Sequence, residues 1–339
     1  MFLEKLCTYR KTIFFIICIL IIQVLILLIN FVTGFYKFFI MREKNLIKHY
    51  GKNTWVIITG ASSGQGCKLA MNLAQRGFNI CMIGSKRSYS TEKEIMKLYP
   101  DIQTRVIIKD FRKAFENNFF DEIQQVFNEI GLDCAMLINN VGYRVGWDPY
   151  DKMPSAYIRD TIATGTIVQS RLTHMIIPFF LKRHENNKKS GLVNITAQCI
   201  HPNLLFGMIQ NEISVPYLSV YEASNAFGFY QGSSIYKEYM GKFDILNITP
   251  GAVITENTTC LSNTIFHIDS DTFVKQIIKM MGNVQGNTCA YWGHAFSNFL
   301  INIVPFYKNR ILKKVGKTIA DDFMKKELNS QFNTKYDVK

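Results

Sequence analysis

"WVIITGASSGQGCKLAMNLAQRG", Trp55 to Gly77, is the stretch that decides the fold. An apolar, β-branched run from Trp55 to Thr59 passes directly into a glycine-punctuated turn, Thr59 to Gly66, and then into a helix-compatible segment closed by Gly77. The order is strand, loop, helix. Gly60, Gly64 and Gly66 would permit the tight turn and the backbone's approach to a pyrophosphate, which would rest on the N-terminus of the helix. A glycine loop alone is a weak signal, but in this order it points to dinucleotide binding ahead of an ordinary turn.

Working outward, short apolar runs alternate with longer helical segments. The runs are "WVIIT" (Trp55 to Thr59), "NICMI" (Asn79 to Ile83), "RVII" (Arg105 to Ile108), "AMLI" (Ala135 to Ile138), "LVNIT" (Leu192 to Thr196) and "DILNIT" (Asp244 to Thr249). Continuous apolar strands separated by helices predict an α/β fold, a Rossmann-type doubly wound parallel sheet covered on both faces. At the end of the second strand an NAD-selective site places an acid on the ribose hydroxyls, whereas this chain has "GSKR", Gly84 to Arg87. With no carboxylate to repel it, and with Ser85, Lys86 and Arg87 at hand, a 2′-phosphate is accommodated. NADP(H) is therefore expected ahead of NAD(H), the plain alternative being two solvated cations in a loop.

The 339 residues, 48% of them hydrophobic, can bury one large core with appendages. The N-terminal break in composition is an apolar run from Ile13 to Val32, flanked by Lys5, Arg10 and Lys11 and by Lys37, Arg42, Lys44 and Lys48. It is long enough for one membrane crossing and too long for a signal peptide. The expected organisation is a short segment at 1–11, a transmembrane anchor at 12–41, a Rossmann domain at 50–290 and a helical, membrane-proximal extension at 291–339. Basic residues on both sides leave the orientation undecided by charge. The eight cysteines lack C-x-x-C spacing and read as free thiols in a reducing compartment. The sequons at Asn194 and Asn247 lie in strand-like segments where no glycan would fit, which places the globular part in the cytosol. The net charge of +13 suits a solvated surface, an anionic leaflet or a phosphorylated substrate. The six histidines are too dispersed for a metal cluster, and no nucleic-acid module is recognisable.

"TGASSGQG", "NNVG" at Asn139 to Gly142 and "PGAVIT" at Pro250 to Thr255 stand in the order and spacing that resemble the short-chain dehydrogenase/reductase family. "YGKNTWVIITGASSGQG", "RGFNI", "LINNVG", "VPYLSVY" and "YWGHAF" with "IVPFYKNRILKK" look like its membrane-anchored branch, which contains hydroxysteroid dehydrogenases and very-long-chain β-ketoacyl-CoA reductases. The resemblance covers roughly Tyr50 to Leu312. It implies an anchored protein of the endoplasmic reticulum facing the cytosol, a lipid-type carbonyl substrate (acyl-CoA or steroid), and a homodimer through the helix bearing Tyr221. By position, Gly60, Ser62, Ser63, Gly64, Gln65 and Gly66 would line the phosphates, with Ser85 and Lys86 at the ribose phosphate. Asp110 would contact the adenine, Asn139 and Gly142 would border the ribose, and Pro250, Gly251 and Val253 would hold the nicotinamide end. From the residues alone, Asn139 could equally stabilise its turn and Pro250 merely stop a strand.

In that family a tyrosine protonates the carbonyl oxygen as hydride arrives, and a lysine four residues on lowers the tyrosine's pKa. A serine holds the carbonyl oxygen, and a helix asparagine supports a water relay. A phenol with a pKa near 10 is a poor relay at neutral pH without a nearby cation. Tyr221 in "YEASN" occupies the tyrosine position, but the lysine position holds Asn225, the serine position Ala197 and the helix-asparagine position Gly165. Thr196 points to the other strand face, Lys237 lies several turns away, and about ten extra residues, "HPNLLFGMIQNEI", precede Tyr221. Ser214 or a residue of that loop could return as the carbonyl donor. Nucleotide binding with very weak turnover is expected, with a non-catalytic cofactor-binding subunit as the alternative. The apolar segment Tyr291 to Tyr307, interrupted by His294, Asn298 and Asn302, reads as a substrate-covering or interfacial helix, with a buried core helix as the plain alternative.

Overall fold

The computed structural model describes residues 2–142, 149–198, 214–255 and 264–303, together with 307, 310–314, 316–318, 320 and 321. Two compact units divide the chain, Met1–Arg42 and Glu43–Lys339. The first is helix α1 (Phe2–Phe35) continued by a π-helical turn, Tyr36–Ile40. Within it Arg10–Ile40 is long and apolar enough to cross a membrane. Its apolar side chains face outward, Phe14 at 69% and Phe31 at 72% exposure. At 1.5 Å per residue its 31 residues extend about 45 Å, more than the roughly 30 Å hydrocarbon core requires.

The second unit begins with α2 (Leu46–Tyr50) and then alternates strands and helices. In order these are β1 (Trp55–Thr59), α3 (Gly64–Gln75), β2 (Asn79–Gly84), α4 (Ser88–Leu98), β3 (Thr104–Ile108), α5 (Asp121–Ile130) and β4 (Cys134–Asn139). There follow α6 (Ser155–Ile162), α7 (Val168–Glu185), β5 (Gly191–Ile195), α8 (Ser219–Glu238), β6 (Asp244–Ile248), β7 (Val253–Ile254), β8 (Ile268–Asp269), α9 (Ser270–Met280), β9 (Gly286–Thr288) and α10 (Trp292–Ile303). Seven strands form one sheet in the order β3-β2-β1-β4-β5-β6-β9, all pairs parallel. The six expected strands are all present. β9, "GNT", has no apolar run to announce it, and β7 and β8 are two-residue strands that pair with each other.

Amphipathic spacing dictates how the helices pack. α5 buries Ile123, Val126, Phe127 and Ile130 and carries Asp121 and Glu122 in its first turn, where the helix dipole favours acids. These side chains join Phe180, Leu172 and Ile176 from α7 and Ile57, Ile83 and Leu137 from the sheet in one buried cluster. Each such fully buried side chain contributes about 1.5–3 kcal/mol.

A ladder of amides, buried except for exposed Asn287, crosses half the sheet. Register aligns Asn139 with Asn194, Asn194 with Asn247, and Asn247 with Asn287. Each Nδ2 donates to the next Oδ1, at 2.8, 2.8 and 2.9 Å, and Asn287 donates to Ser233 Oγ at 2.7 Å. Parallel strands in register bring same-face amides within reach, and pairing removes the roughly 1–3 kcal/mol cost of an unsatisfied buried group. Asn194 and Asn247 are 1% and 0% exposed, so neither sequon could carry a glycan.

The ladder sets the height of α8. A Cβ on Gly232 would collide with the Asn247 amide, and one on Gly228 would lie 2.7 Å from Gln169 Oε1 and 3.0 Å from Thr196 Cγ2. With buried Ser224, these residues recur every four positions, so α8 lies flush on the sheet along a stripe of small side chains. That places Tyr221, one turn before the stripe begins, at the C-terminal edge of the sheet.

Candidate cofactor and catalytic site

The glycine loop has the geometry its sequence predicts. Gly60 and Gly64 have φ of 68° and 54°, and Gly60 N donates to Ile83 O at 2.9 Å. Gly66 lies so close to Gly60 O that a Cβ there would collide with it, and 2.5 Å would separate that Cβ from Asn140 Nδ2. Asn140 Nδ2 in turn donates to Thr59 O at 2.9 Å, while Thr59 Oγ1 accepts from Asn140 N and Val141 N at 2.9 and 3.0 Å. "TG" and "NNVG" therefore interlock where the strand order reverses between β1 and β4, the crevice in which open α/β sheets bind ligands.

An NAD(P)-type dinucleotide fits this loop. Ser63 precedes α3 without capping it, so its side chain does not compete for the first-turn N–H groups. Ser62, Ser63, Gly64 and Gln65 are half-buried, and Gln65 Oε1 is buried without a protein partner. Gly64 also adjoins Thr255, whose Cγ2 would be 3.5 Å from an added Cβ, so the phosphate loop meets the "PGAVIT" segment. Ser85, Lys86 and Arg87 are exposed at the end of β2. When bound, such a cofactor supplies hydride; the protein's part is to hold it and to manage the proton.

Asp110 caps a short 3-10 turn, Phe111–Lys113, and holds Arg112 through both oxygens at 2.9 and 2.7 Å. Those hydrogen bonds from Arg112 keep its carboxyl below the usual carboxylate range. The Asn139 side chain is 4% exposed; its Nδ2 donates to Thr173 Oγ1 (3.0 Å) and Asn194 Oδ1, while its buried Oδ1 has no hydrogen-bond partner in the protein. Gly142 is exposed. Pro250 and Val253 are buried, Val253 pairing with Ile268, so Gly251 is the half-buried member of that trio.

Of the four expected catalytic positions, Gly165, Tyr221 and Asn225 come together through α8, but not as open vacancies. Gly165 lies in a π-helical turn, Ala163–Ile167, between α6 and α7, and Ser224 of α8 is pressed against it. A Cβ on Gly165 would lie 2.8 Å from Ser224 Oγ and 3.0 Å from Ser224 Cβ. Ser224 Oγ and Asn225 Nδ2 both donate to the Tyr221 carbonyl, at 2.7 and 2.8 Å. The Asn225 amide is thus turned back onto its own helix. Thr196 Oγ1 donates to Ile248 O at 3.1 Å and cannot replace the hydroxyl missing from half-buried Ala197. Tyr221 packs beside Met153, Tyr157, Ile158 and Val220. Lys237 is exposed sixteen residues further on, about 24 Å along the helix. Ser214 is exposed, and the rest of the extra loop, with "HPNLLFGMIQNEI", lies outside the described residues.

Sequence reading missed two residues that hold the "PGAVIT" segment. Gln198 is next to Ala197; its N donates to Pro250 O and its Nε2 to His294 O, both at 2.9 Å. His294 Nε2 lies 3.2 Å from Ala252 O, and the ring is fully buried. A Cβ on Gly251 would lie 2.7 Å from both Gln198 Oε1 and His294 Cδ2, so the glycine of "PG" is needed for this clamp. The signal in the sequence was a histidine inside an apolar helical segment, which reads equally as surface or core.

Burial lowers the His294 pKa to about 4, with His267 adding to the fall and the Ala252 carbonyl opposing it. The unfolded imidazole titrates near 6.5, so between those values the unfolded chain binds the proton more readily. The clamp's contribution is complete above about pH 6.5 and is lost as pH falls towards 4. Between pH 7 and pH 5 the native chain is expected to lose about 2 kcal/mol in urea unfolding in detergent, a loss absent from His294→Gln. Equal pH dependence in both proteins would rule out His294 as its source.

The family described as short chain dehydrogenase matches residues 54–264. The chain belongs to the short-chain dehydrogenase family. Among its relatives, a very-long-chain 3-oxoacyl-CoA reductase of Emericella nidulans is 25% identical over 300 residues, covering 86% of this chain and 82% of the relative. A Caenorhabditis elegans protein named for steroid dehydrogenase activity is 26% identical over 278 residues, covering 81% and 83%. Among solved structures, a short-chain dehydrogenase of Sphingobium yanoikuyae in complex with NADPH superposes with a TM-score of 0.57 at 19% identity, over 70% of this chain and 87% of the other. A 7beta-hydroxysteroid dehydrogenase gives 0.61 at 19% identity over 76% and 93%. These structures show that the short-chain dehydrogenase fold is shared.

Proposed function

We propose that this short-chain dehydrogenase is a membrane-anchored, NADP(H)-binding protein of the lipid-carbonyl branch whose turnover is strongly weakened. The observation that carries it is the Asn225 amide, uncharged and bonded to the Tyr221 carbonyl, where the relay needs a cation. Names of relatives support 3-oxoacyl-CoA or steroid ketones as the substrate class. Arg10–Ile40 acts as the anchor, and the endoplasmic reticulum with a cytosolic catalytic face is the location most consistent with those relatives. A homodimer through α8 would use Phe227 and Tyr230, which are 44% and 59% exposed.

A second reading, a non-catalytic NADPH-binding subunit, is favoured by Ser224 filling the space beside Gly165. Fluorescence titration with NADPH, followed by oxidation assays on 3-oxoacyl-CoA and ketosteroids with the same preparation, separates the two. Binding with slow turnover supports the first reading, binding with none the second, and an ordinary rate overturns both. In the same titration Lys86→Glu is expected to weaken NADPH about 10- to 100-fold and leave NADH nearly unchanged, since a charge-assisted phosphate contact is worth about 1.5–3 kcal/mol. Equal weakening of both nucleotides would remove the preference for NADP(H).

A further inference from the structure

α10 is built inside out. Its inward positions are polar, His294 fully buried and Asn298 at 5% exposure. Its outward positions are apolar: Phe296, Phe299 and Leu300 are 41%, 46% and 41% exposed, and half-buried Trp292 precedes them at helical spacing on the same side. Phe266 stacks on Phe296 with centroids 6.4 Å apart, and its neighbour Ile265 is 52% exposed. A helix bathed in water would reverse this distribution.

The helical residues beyond it add charge. Leu312, Gly316 and Ala320 are buried at four-residue intervals, and Gly316 sits so close that an added Cβ would lie 3.0 Å from Pro216 Cδ. Arg310, Lys313, Lys314 and Lys317 are exposed at spacing i, i+3, i+4, i+7, which makes one basic stripe.

We propose that the outward face of α10, with Ile265, Phe266 and the basic stripe, is a membrane-docking surface that rests on an anionic leaflet, separate from the N-terminal helix. Aromatic and aliphatic side chains enter the boundary between headgroups and acyl chains, while the cations meet lipid phosphates. An outward apolar stripe followed along the chain by the exposed cations Arg310 to Lys317 fits a lipid surface better than a protein groove, which needs no excess of one charge. The inward face of the same helix holds Ala252 through His294, so lipid and the nicotinamide-end loop lie about one helix diameter, ~10 Å, apart. The proposal rests on reading Arg10–Ile40 as an anchor, which alkaline carbonate extraction of the full chain tests separately.

The test uses the full chain in vesicles of phosphatidylcholine with phosphatidylserine, carrying the photoreactive residue p-benzoylphenylalanine in place of Phe299 or, as a control, of Phe115, which is 53% exposed. Phospholipid adducts identified by mass are expected at least about fivefold more often at position 299 than at 115. Replacing Arg310, Lys313, Lys314 and Lys317 together by glutamine should lower the adducts at 299 several-fold in these vesicles but not in phosphatidylcholine alone. Equal adducts at the two positions, a product dominated by crosslinks to a second copy or another protein, or indifference to the four charges would each overturn the proposal. Release by carbonate with the Phe299-site adducts retained would remove the anchor and leave the docking surface standing.

Discussion

Replacing Asn225 by lysine and Ala197 by serine together raises NADPH-dependent reduction of a 3-oxoacyl-CoA by about 10²-fold or more over the native chain. A lysine at 225 cannot make the Asn225 bond to the Tyr221 carbonyl without bending back, so its ammonium extends along the face that Tyr221 shares. There it favours the phenolate and makes the phenol a competent proton relay, which is worth about 10²–10⁴ in rate. Serine at 197 supplies the donor that Thr196, tied to Ile248 O, withholds. The two gains need not multiply, because residues acting as a unit are non-additive. Adding Gly165→Asn is expected to undo part of the gain and cost about 1–3 kcal/mol, because its Cβ would press on Ser224 at 2.8 and 3.0 Å. Combining it with Ser224→Ala removes the Oγ contact but leaves the Cβ contact at 3.0 Å, so it should recover only part of that stability. Steady-state kinetics alongside NADPH titration reads all four proteins. A double variant that binds NADPH normally and stays as slow as the native chain would show that these positions do not limit turnover.

Gly66→Ala abolishes NADPH binding and destabilises the fold by about 3 kcal/mol, while Gly64→Ala costs nearer 1 kcal/mol. The two glycines look equivalent in sequence and are not equivalent in space. At Gly66 the methyl group would run into Gly60 O and the Asn140 amide, both held by bonds to β1 and β2. Backbone cannot give way there without pulling α3 off the loop. At Gly64 the nearest atom would be Thr255 Cγ2 at 3.5 Å, an ordinary contact, and the penalty is the strain of a positive φ of 54°. Urea unfolding and NADPH titration of the two variants check the ranking. A Gly64 variant that is the less stable of the two would show that loop strain outweighs the close approach of α3.

How much of this could be read beforehand varied with how local the cause is. The six long strands were legible because each is a continuous apolar run, and the glycine loop because strand, turn and helix are adjacent in the chain. Of the site, Tyr221, Asn225, Ala197 and Gly165 were placed by counting from fixed motifs, and the structure brings them to one edge of the sheet. β9 was not legible, since "GNT" carries no hydrophobic pattern and is held by pairing with β6. Asp110 and Asn139 were expected at the cofactor; the first is engaged by Arg112 and the second by the amide ladder, partners two and 55 residues away respectively. Gln198 and His294 could not be foreseen, because their meeting joins segments 96 residues apart.

The sequence by itself determined the doubly wound fold, the nucleotide loop and the loss of a cation four residues after Tyr221, since periodicity, glycine placement and residue identity within one helix are local facts. Tertiary structure alone decided that Gly165 is filled rather than empty, that His294 latches the "PGAVIT" segment, and that α10 turns its apolar side outward. Those outcomes depend on which surfaces close packing brings together, and the distances that settle them arise only when segments far apart in the chain share one core.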